Sequence, residues 1–178
     1  MADSPSRRDE VDSLVAAWQR ERPDLDVAPM QVLSRVSRLA RHLDRQRSTA
    51  FAAYGLETWE FDVLAALRRS GSPYQLSPGQ LLRETMVTSG TMTNRVDRLA
   101  ARGLVARENH PEDRRGVLVT LTSSGKETVD AALSDLLGAE QEILTSLSRS
   151  EQEHLAVSLR SLLLPYDDEQ GGPPDRSE

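Results

Sequence analysis

The 178-residue chain has no cysteine, a single lysine and only three histidines. Without cysteine there is no disulfide framework, no thiolate metal site, no Cys nucleophile and no thiol redox switch. His42, His110 and His154 are too scattered for zinc-ligand spacing, so no metal or cofactor is expected. Aromatic residues make up 4% of the chain, which leaves Leu, Val, Ala and Ile to build the core. No apolar run approaches the roughly 20 residues of a membrane span. The opening MADSPSRRDE has no apolar stretch behind its charges, so neither a signal peptide nor a membrane partner is expected, and the expected location is cytoplasmic. The chemistry of an enzyme is missing too. SGTMTN lacks the Lys of a phosphate-binding loop, and no Ser/His/Asp set stands in a recognisable motif. Asp167 and Asp168 sit together in a polar tail, where a charge run is usually solvated. No catalytic residue is expected.

What is present suits one helix-rich globular domain: 38% hydrophobic and 28% charged residues. The net charge of -6 hides an asymmetry. Arg68 to Arg115 holds nine Arg against five Asp or Glu, a local surplus of +4, and the remainder carries -10. A local positive field is what attracts phosphate, so a low pI does not exclude DNA. The plain alternative is a chance cluster.

Apolar spacing predicts a short helix over Asp9–Glu21, with Val11, Leu14, Val15 and Trp18 on one face and Pro23 stopping it. After DLDVAP, a long helix is expected from about Met30 to Ala53. Its stripe is Val32 or Leu33, Val36, Leu39, Ala40 and Leu43, and Gly55 ends it. A third helix covers about Thr58 to Arg69, closed by Gly71. Ser77 then caps a helix beginning at Pro78. MVTSG connects it to a further helix, about Thr91 to Arg102, with Thr88 or Ser89 as cap and Gly103 as stop. Two short helices joined by a tight turn form a helix-turn-helix. LVARE and VLVTLT, around the breaker-rich NHPEDRRG, predict a β-hairpin directly after it. The fold expected is mainly α with a small β-wing, a winged helix-turn-helix. Thr122–Leu147 reads as a second long helix. A last helix starts near a capping box formed by Ser150 and Glu153 and ends at Pro165. The long end helices have apolar faces larger than one small domain covers, which points to a homodimer through the N- and C-terminal helices; intramolecular packing is the alternative. The expected division is an N-terminal extension 1–28, a dimerisation helix 29–56, a DNA-binding domain 57–122, dimerisation helices 123–164 and a disordered tail 165–178.

On a wheel at about 100° per residue, Met92, Val96, Leu99 and Ala100 of the Thr91–Arg102 helix form the packed side. Gly90, Thr91, Asn94, Asp97 and Arg98 lie roughly opposite. Hydroxyls, an amide and a guanidinium on that side suit base edges and phosphates in a major groove; a solvated polar face is the alternative. In the wing, Arg114 and Arg115 suit the minor groove or phosphate contact, unless Asp113 holds one of them in an ion pair. The candidate DNA-binding residues are Ser77, Ser89, Gly90, Thr91, Asn94, Arg98, Arg114 and Arg115.

The run LETWEFDVLAALRRSG, LSPGQLLRETMVTSGTMTNRVDRLAARGLVAR and HPEDRRGVLVTLTSSG resembles the MarR family of bacterial transcription regulators. TNRVDRLAARGLV followed by DRRG and VLVTLT is its most specific part. The resemblance spans about Met30 to Leu163. It implies a homodimer on a pseudo-palindromic double-stranded DNA site, usually a repressor released by a small molecule. The extra N-terminal helix resembles the urate-responsive branch of that family. There, a Trp in this helix, an Asp before the helix-turn-helix, an Arg in the recognition helix and an Arg in the wing hold the ligand. Trp18, Asp62, Arg95 and Arg107 fill those roles here, with 33 residues from Asp62 to Arg95 and 12 from Arg95 to Arg107. The GTMTNRVDRL segment also resembles tricarboxylate-responsive relatives. Two arginines suit a small anion, a urate-like purine or a tricarboxylate. Trp18 either stacks on a planar ligand or walls off the pocket. The structural alternative makes Trp18 a docking anchor and pairs Asp62 with Arg95 or Arg107. A winged-helix DNA-binding protein without a ligand, or a winged-helix module that binds protein, are the competing functions.

Overall fold

The computed structural model describes residues 8–85, 89–109 and 116–169. The elements run α1 (Glu10–Glu21), α2 (Ala28–Ala52), α3 (Thr58–Arg69), β1 (Gln75–Leu76), α4 (Pro78–Thr85), α5 (Ser89–Ala101), β2 (Val105–Asn109), β3 (Val117–Leu121), α6 (Ser123–Leu144) and α7 (Arg149–Glu169). The chain divides into two compact units, one up to Leu136 and one from Leu137.

In the first unit, α1 starts at a reciprocal cap. The Asp9 carboxylate accepts from the Val11 and Asp12 amides, and Asp12 accepts from the Asp9 amide. The inner face of α1 buries Val11 and Val15 with Val27, while Leu14 and Trp18 remain exposed. Charge fastens it to α2. Arg35 donates to Asp9 at 2.8 Å and to Asp12 at 2.9 Å, and Arg38 pairs with Glu10.

The winged helix is built around one apolar core. Phe51 at the end of α2 stacks on Phe61 of α3, with ring centroids 3.9 Å apart. Leu64 and Leu67 of α3, Leu81 of α4, Met92 and Leu99 of α5, and Val119 of β3 are fully buried around them. Each such side chain contributes about 1.5–3 kcal/mol relative to exposure. Gly103, at φ +71°, reverses the chain between α5 and β2, a conformation that costs glycine little. The expected hairpin is present, with Arg107 opposite Val119. Beside it lies a strand not expected from the sequence: β1 pairs antiparallel with β3, giving the order β1-β3-β2. A two-residue strand is too short to show a period. At the start of α6, Thr122 Oγ1 accepts from the Gly125 amide. A Cβ on Gly125 would stand 2.0 Å from the Leu104 carbonyl oxygen and 2.9 Å from Leu121, so only glycine lets α6 pass the end of the hairpin.

In the second unit, two expectations are corrected. The capping box at the start of α7 is formed by Ser148 and Glu151, not Ser150 and Glu153. The Ser148 amide donates to Glu151 at 2.7 Å, and Ser148 Oγ accepts from the Glu151 amide at 3.4 Å. Glu153 instead meets Arg149 one turn earlier. Pro165 does not end the helix, which continues to Glu169. Proline removes one amide donor, and the neighbouring turns keep their own bonds. Residues 165–169 of the expected tail are therefore helical, and 170–178 lie outside the described residues.

Large apolar side chains remain on the surface of each unit. On α2 these are Val32, Leu33, Val36 and Leu39; on α7 they are Leu155, Val157, Leu162, Leu163 and Leu164. Among the described residues, no helix is long and apolar enough to cross a membrane.

Two outcomes follow. Gly125→Ala is expected to lower stability by at least about 1–3 kcal/mol in urea unfolding, the cost of overpacking; a wild-type midpoint would contradict the close approach. The Arg35 guanidinium, followed by local amide donors, holds the Asp9 carboxyl below its usual range. Its contribution to docking α1 is complete above the ordinary carboxylate value of about 4 and is lost as pH falls through the lower folded value. In a Trp59→Phe background, Trp18 emission is expected to be constant from about pH 5 to 8 and to change only below about pH 4.

Candidate nucleic-acid interface

The helix-turn-helix is positioned by caps and by its buried face. The Ser77 amide donates to Gln80 Oε1 at 2.8 Å, and the Gln80 amide donates to Ser77 Oγ at 3.3 Å. Ser77 is thus the N-cap of α4 and uses its oxygen as an acceptor there. Along α5, Met92, Val96 and Leu99 are buried and Ala100 half-buried, while Gly90, Thr91, Asn94, Asp97 and Arg98 are exposed. The backbone of Ser89 begins the helix. A Cβ on Gly90 would meet nothing within 4 Å, so the approach to the first turn is open. Arg114, Arg115 and Asp113 lie outside the described residues.

The exposed face is anchored at one edge by the first turn of α3. Trp59 Nε1 donates to Glu57 Oε2 at 2.9 Å, and Arg98 Nη2 donates to Glu57 Oε1 at 2.6 Å. The guanidinium carbons of Arg98 and Arg95 lie 4.8 Å and 5.2 Å from the centre of the Trp59 ring. Exposed cation–π contacts of this kind are worth about 0.5–1 kcal/mol each. The Trp59 indole N–H and then the Arg98 guanidinium hold the Glu57 carboxyl below its usual range. Trp59, Gly90, Thr91, Asn94, Arg95 and Arg98 line an open depression of about 450 Å³. Trp59 also forms a wall of a second depression of about 590 Å³, between α2 and α3, with Ser48, Glu57 and Asp62. Sequence reasoning passed over Glu57 and Trp59. The available signal was the rarity of tryptophan, one of two in the chain, just before a helix-turn-helix.

Below this cluster lies a buried charge. Glu60 is 2% exposed. Its Oε2 accepts from Arg102 Nη1 at 2.6 Å and from the Glu57 amide at 2.9 Å, and Arg102 Nη2 reaches the Gly55 carbonyl at 3.0 Å. The carboxylate is therefore paired and hydrogen-bonded, as burial of a charge demands.

The four residues assigned to a ligand are dispersed. Trp18 lies half-exposed on α1. Asp62 meets Arg47 of α2 at 3.4 Å, which corrects the expected bridge to Arg95 or Arg107. The reason is local: Arg47 is the cation that α2 presents to this part of α3, whereas Arg107 is taken by Asp97 of α5 and Arg95 lies over Trp59. Asp62 and Arg95 line separate depressions that share Trp59, and Trp18 and Arg107 line neither. Among the described residues no group of three His, Asp or Glu is placed to hold a metal ion.

Residues 54–116 match the model of the MarR family. The HTH-type transcriptional regulator PecS of Dickeya dadantii is 39% identical over 150 residues, 84% of this chain and 90% of that protein. The chain belongs to the MarR family. A mutant of MarR from Escherichia coli, solved in complex with operator DNA, is 27% identical and superposes with a TM-score of 0.62 over 78% of this chain and 99% of that one. Bordetella bronchiseptica BpsR, whose DNA binding is regulated by 6-hydroxynicotinic acid, is 29% identical, with a TM-score of 0.56 over 72% and 98%. The protein is thus a MarR-family transcriptional regulator with a winged helix and not an enzyme.

Arg102→Ala leaves Glu60 buried without its cation and is expected to cost about 3 kcal/mol in denaturant unfolding. A loss within about 0.5 kcal/mol, typical of surface substitutions, would contradict the buried pair.

Proposed function

We propose that this MarR-family regulator binds a pseudo-palindromic double-stranded DNA operator as a homodimer and represses transcription until a small anion releases it. The observation that carries the reading is the outer face of α5. There, exposed Thr91, Asn94 and Arg98 follow an open helix start at Gly90, with the packed side fully used by the core. In this reading α5 enters the major groove. Ser77 and Ser89 meet the backbone at the helix starts, and Arg114 and Arg115 follow from the wing. The relative solved on operator DNA supports it. The exposed apolar stripe of α2 and the exposed apolar side chains of α7 support dimerisation through residues 29–56 and 123–164, with 57–122 as the DNA-binding part and 1–28 as an added scaffold. Two copies place their recognition helices in successive major grooves, roughly 34 Å apart. A protein seated on a promoter blocks its use, and its place of work is the cytoplasm, with the DNA.

The effector in this reading is a urate-like purine or a tricarboxylate that engages Arg95 and Arg107, with Asp62 and Trp18 completing the site. To do so it draws Arg95 from Trp59 and Arg107 from Asp97, acting on α5 and the wing together. Ligand and DNA then weaken each other reciprocally. Regulation of the DNA binding of BpsR by an organic acid supports an anionic effector.

The test is a titration of the duplex that flanks the gene, in rising salt and with urate or citrate added. Affinity is expected to fall steeply with salt, by several log units per log unit for several phosphate contacts. Asn94→Ala and Arg98→Ala are expected to weaken binding, and Arg95→Ala and Arg107→Ala to blunt release by the anion. Salt-independent binding, or no binding, would overturn DNA recognition. Wild-type release in both arginine variants would overturn the ligand site alone.

A further inference from the structure

Glu57 places a negative charge where a DNA-binding surface has most reason to avoid one. It stands at the N-cap of α3, and its carboxylate reaches Arg98, an exposed arginine on the outer face of α5, at 2.6 Å. The Trp59 indole N–H holds its other oxygen at 2.9 Å, so the carboxylate is fixed from two sides. The backbone beneath it is fixed as well, because the Glu57 amide donates to buried Glu60.

We propose that Glu57 is a specificity-determining positioning residue, which discounts the charge of Arg98 toward phosphate while keeping its remaining donors aimed for a base edge. The inference rests on the reading of α5 as the DNA-contacting helix. A guanidinium carries five N–H donors in a rigid plane, and Glu57 occupies one of its nitrogens, Nη2. Arg98 remains 54% exposed, and the Trp59 face lies 4.8 Å away to hold its plane. Ordering the side chain before contact reduces the entropic cost of a directed hydrogen bond. The adjacent carboxylate cancels most of the long-range field that would otherwise draw any phosphate. Phosphate attraction is common to every sequence, whereas hydrogen bonds to a base edge are not. A paired and oriented arginine therefore gives up affinity shared by all DNA and keeps the part that discriminates.

The experiment measures wild type, Glu57→Gln, Arg98→Ala and the double variant on two probes across about 50–200 mM salt. One probe is a random-sequence duplex of about 30 base pairs; the other is a duplex recovered by wild-type selection from a randomised pool. Glutamine keeps the acceptor for Trp59 and removes the charge. Glu57→Ser, a good N-cap residue, serves as a second variant. Loss of the charge is expected to tighten binding to the random duplex roughly threefold at the low-salt end. It is also expected to steepen the salt dependence by about 0.9, the increment of one further phosphate contact. The ratio of selected to random affinity falls correspondingly, and the gain disappears when Arg98→Ala is added. Wild-type affinity and slope on the random duplex in both Glu57 variants would overturn the proposal. An undiminished gain in the Arg98→Ala background would overturn it too, because the charge would then act on the whole surface rather than through Arg98. Wild type showing no salt-dependent binding to either probe is a different failure: it removes DNA recognition by α5, and the role of Glu57 with it.

Discussion

The Glu60–Arg102 pair is the constraint from which the functional surface takes its form. A carboxylate with almost no access to water must be matched. It is matched by an arginine from the end of α5, which also closes on the carbonyl of Gly55 before α3. One contact thus joins the α2–α3 connection, the first turn of α3 and the last turn of α5. Arg95, Arg98 and Arg102 fall at i, i+3 and i+7, which puts them along one edge of α5. That edge meets Trp59, Glu57 and Glu60 in the first turn of α3. Arg102 is committed to structure. Arg98 and Arg95 lie on the same edge nearer the helix start, held but exposed enough to exchange partners.

Charge elsewhere in the first unit follows a similar economy of position. The acidic start of α1 is matched to Arg35 and Arg38 on α2, and Asp62 to Arg47. A chain with 21 arginines and one lysine thereby fixes much of its positive charge in planar, directional contacts. The net negative charge coexists with a DNA-reading role because the acidic excess lies outside the segment from Arg68 to Arg115. The large apolar side chains left exposed on α2 and α7 leave those helices with apolar surface that the described residues of their own unit do not cover.

Local rules carried the sequence a long way toward this structure. The α3 helix occupies the residues expected of it, glycines end α3 and α5, Ser77 caps α4, and the buried side of α5 is the side its periodicity marks. These features depend on residues within a few positions of one another. What escaped depends on distance in the chain. Glu60 looks like one more surface acid until Arg102, 42 residues on, is brought beside it. Glu57 and Trp59 look like the ordinary start of a helix until α5 is laid across them. The structural alternative pairs Asp62 with an arginine of α5 or β2, whereas the partner it meets is Arg47 of α2, 15 residues before it. Pro165 shows the limit of a breaker rule where one lost donor is outweighed by the turns around it.

Hydrogen exchange of the intact protein, with and without a saturating duplex that carries its flanking DNA, tests most directly whether α5 is presented as the reading surface. The arrangement described here predicts added protection from Gly90 to Arg98 and in the loop between β2 and β3, with α1 unchanged. Protection confined to other elements, with α5 exchanging as in the free protein, would contradict it.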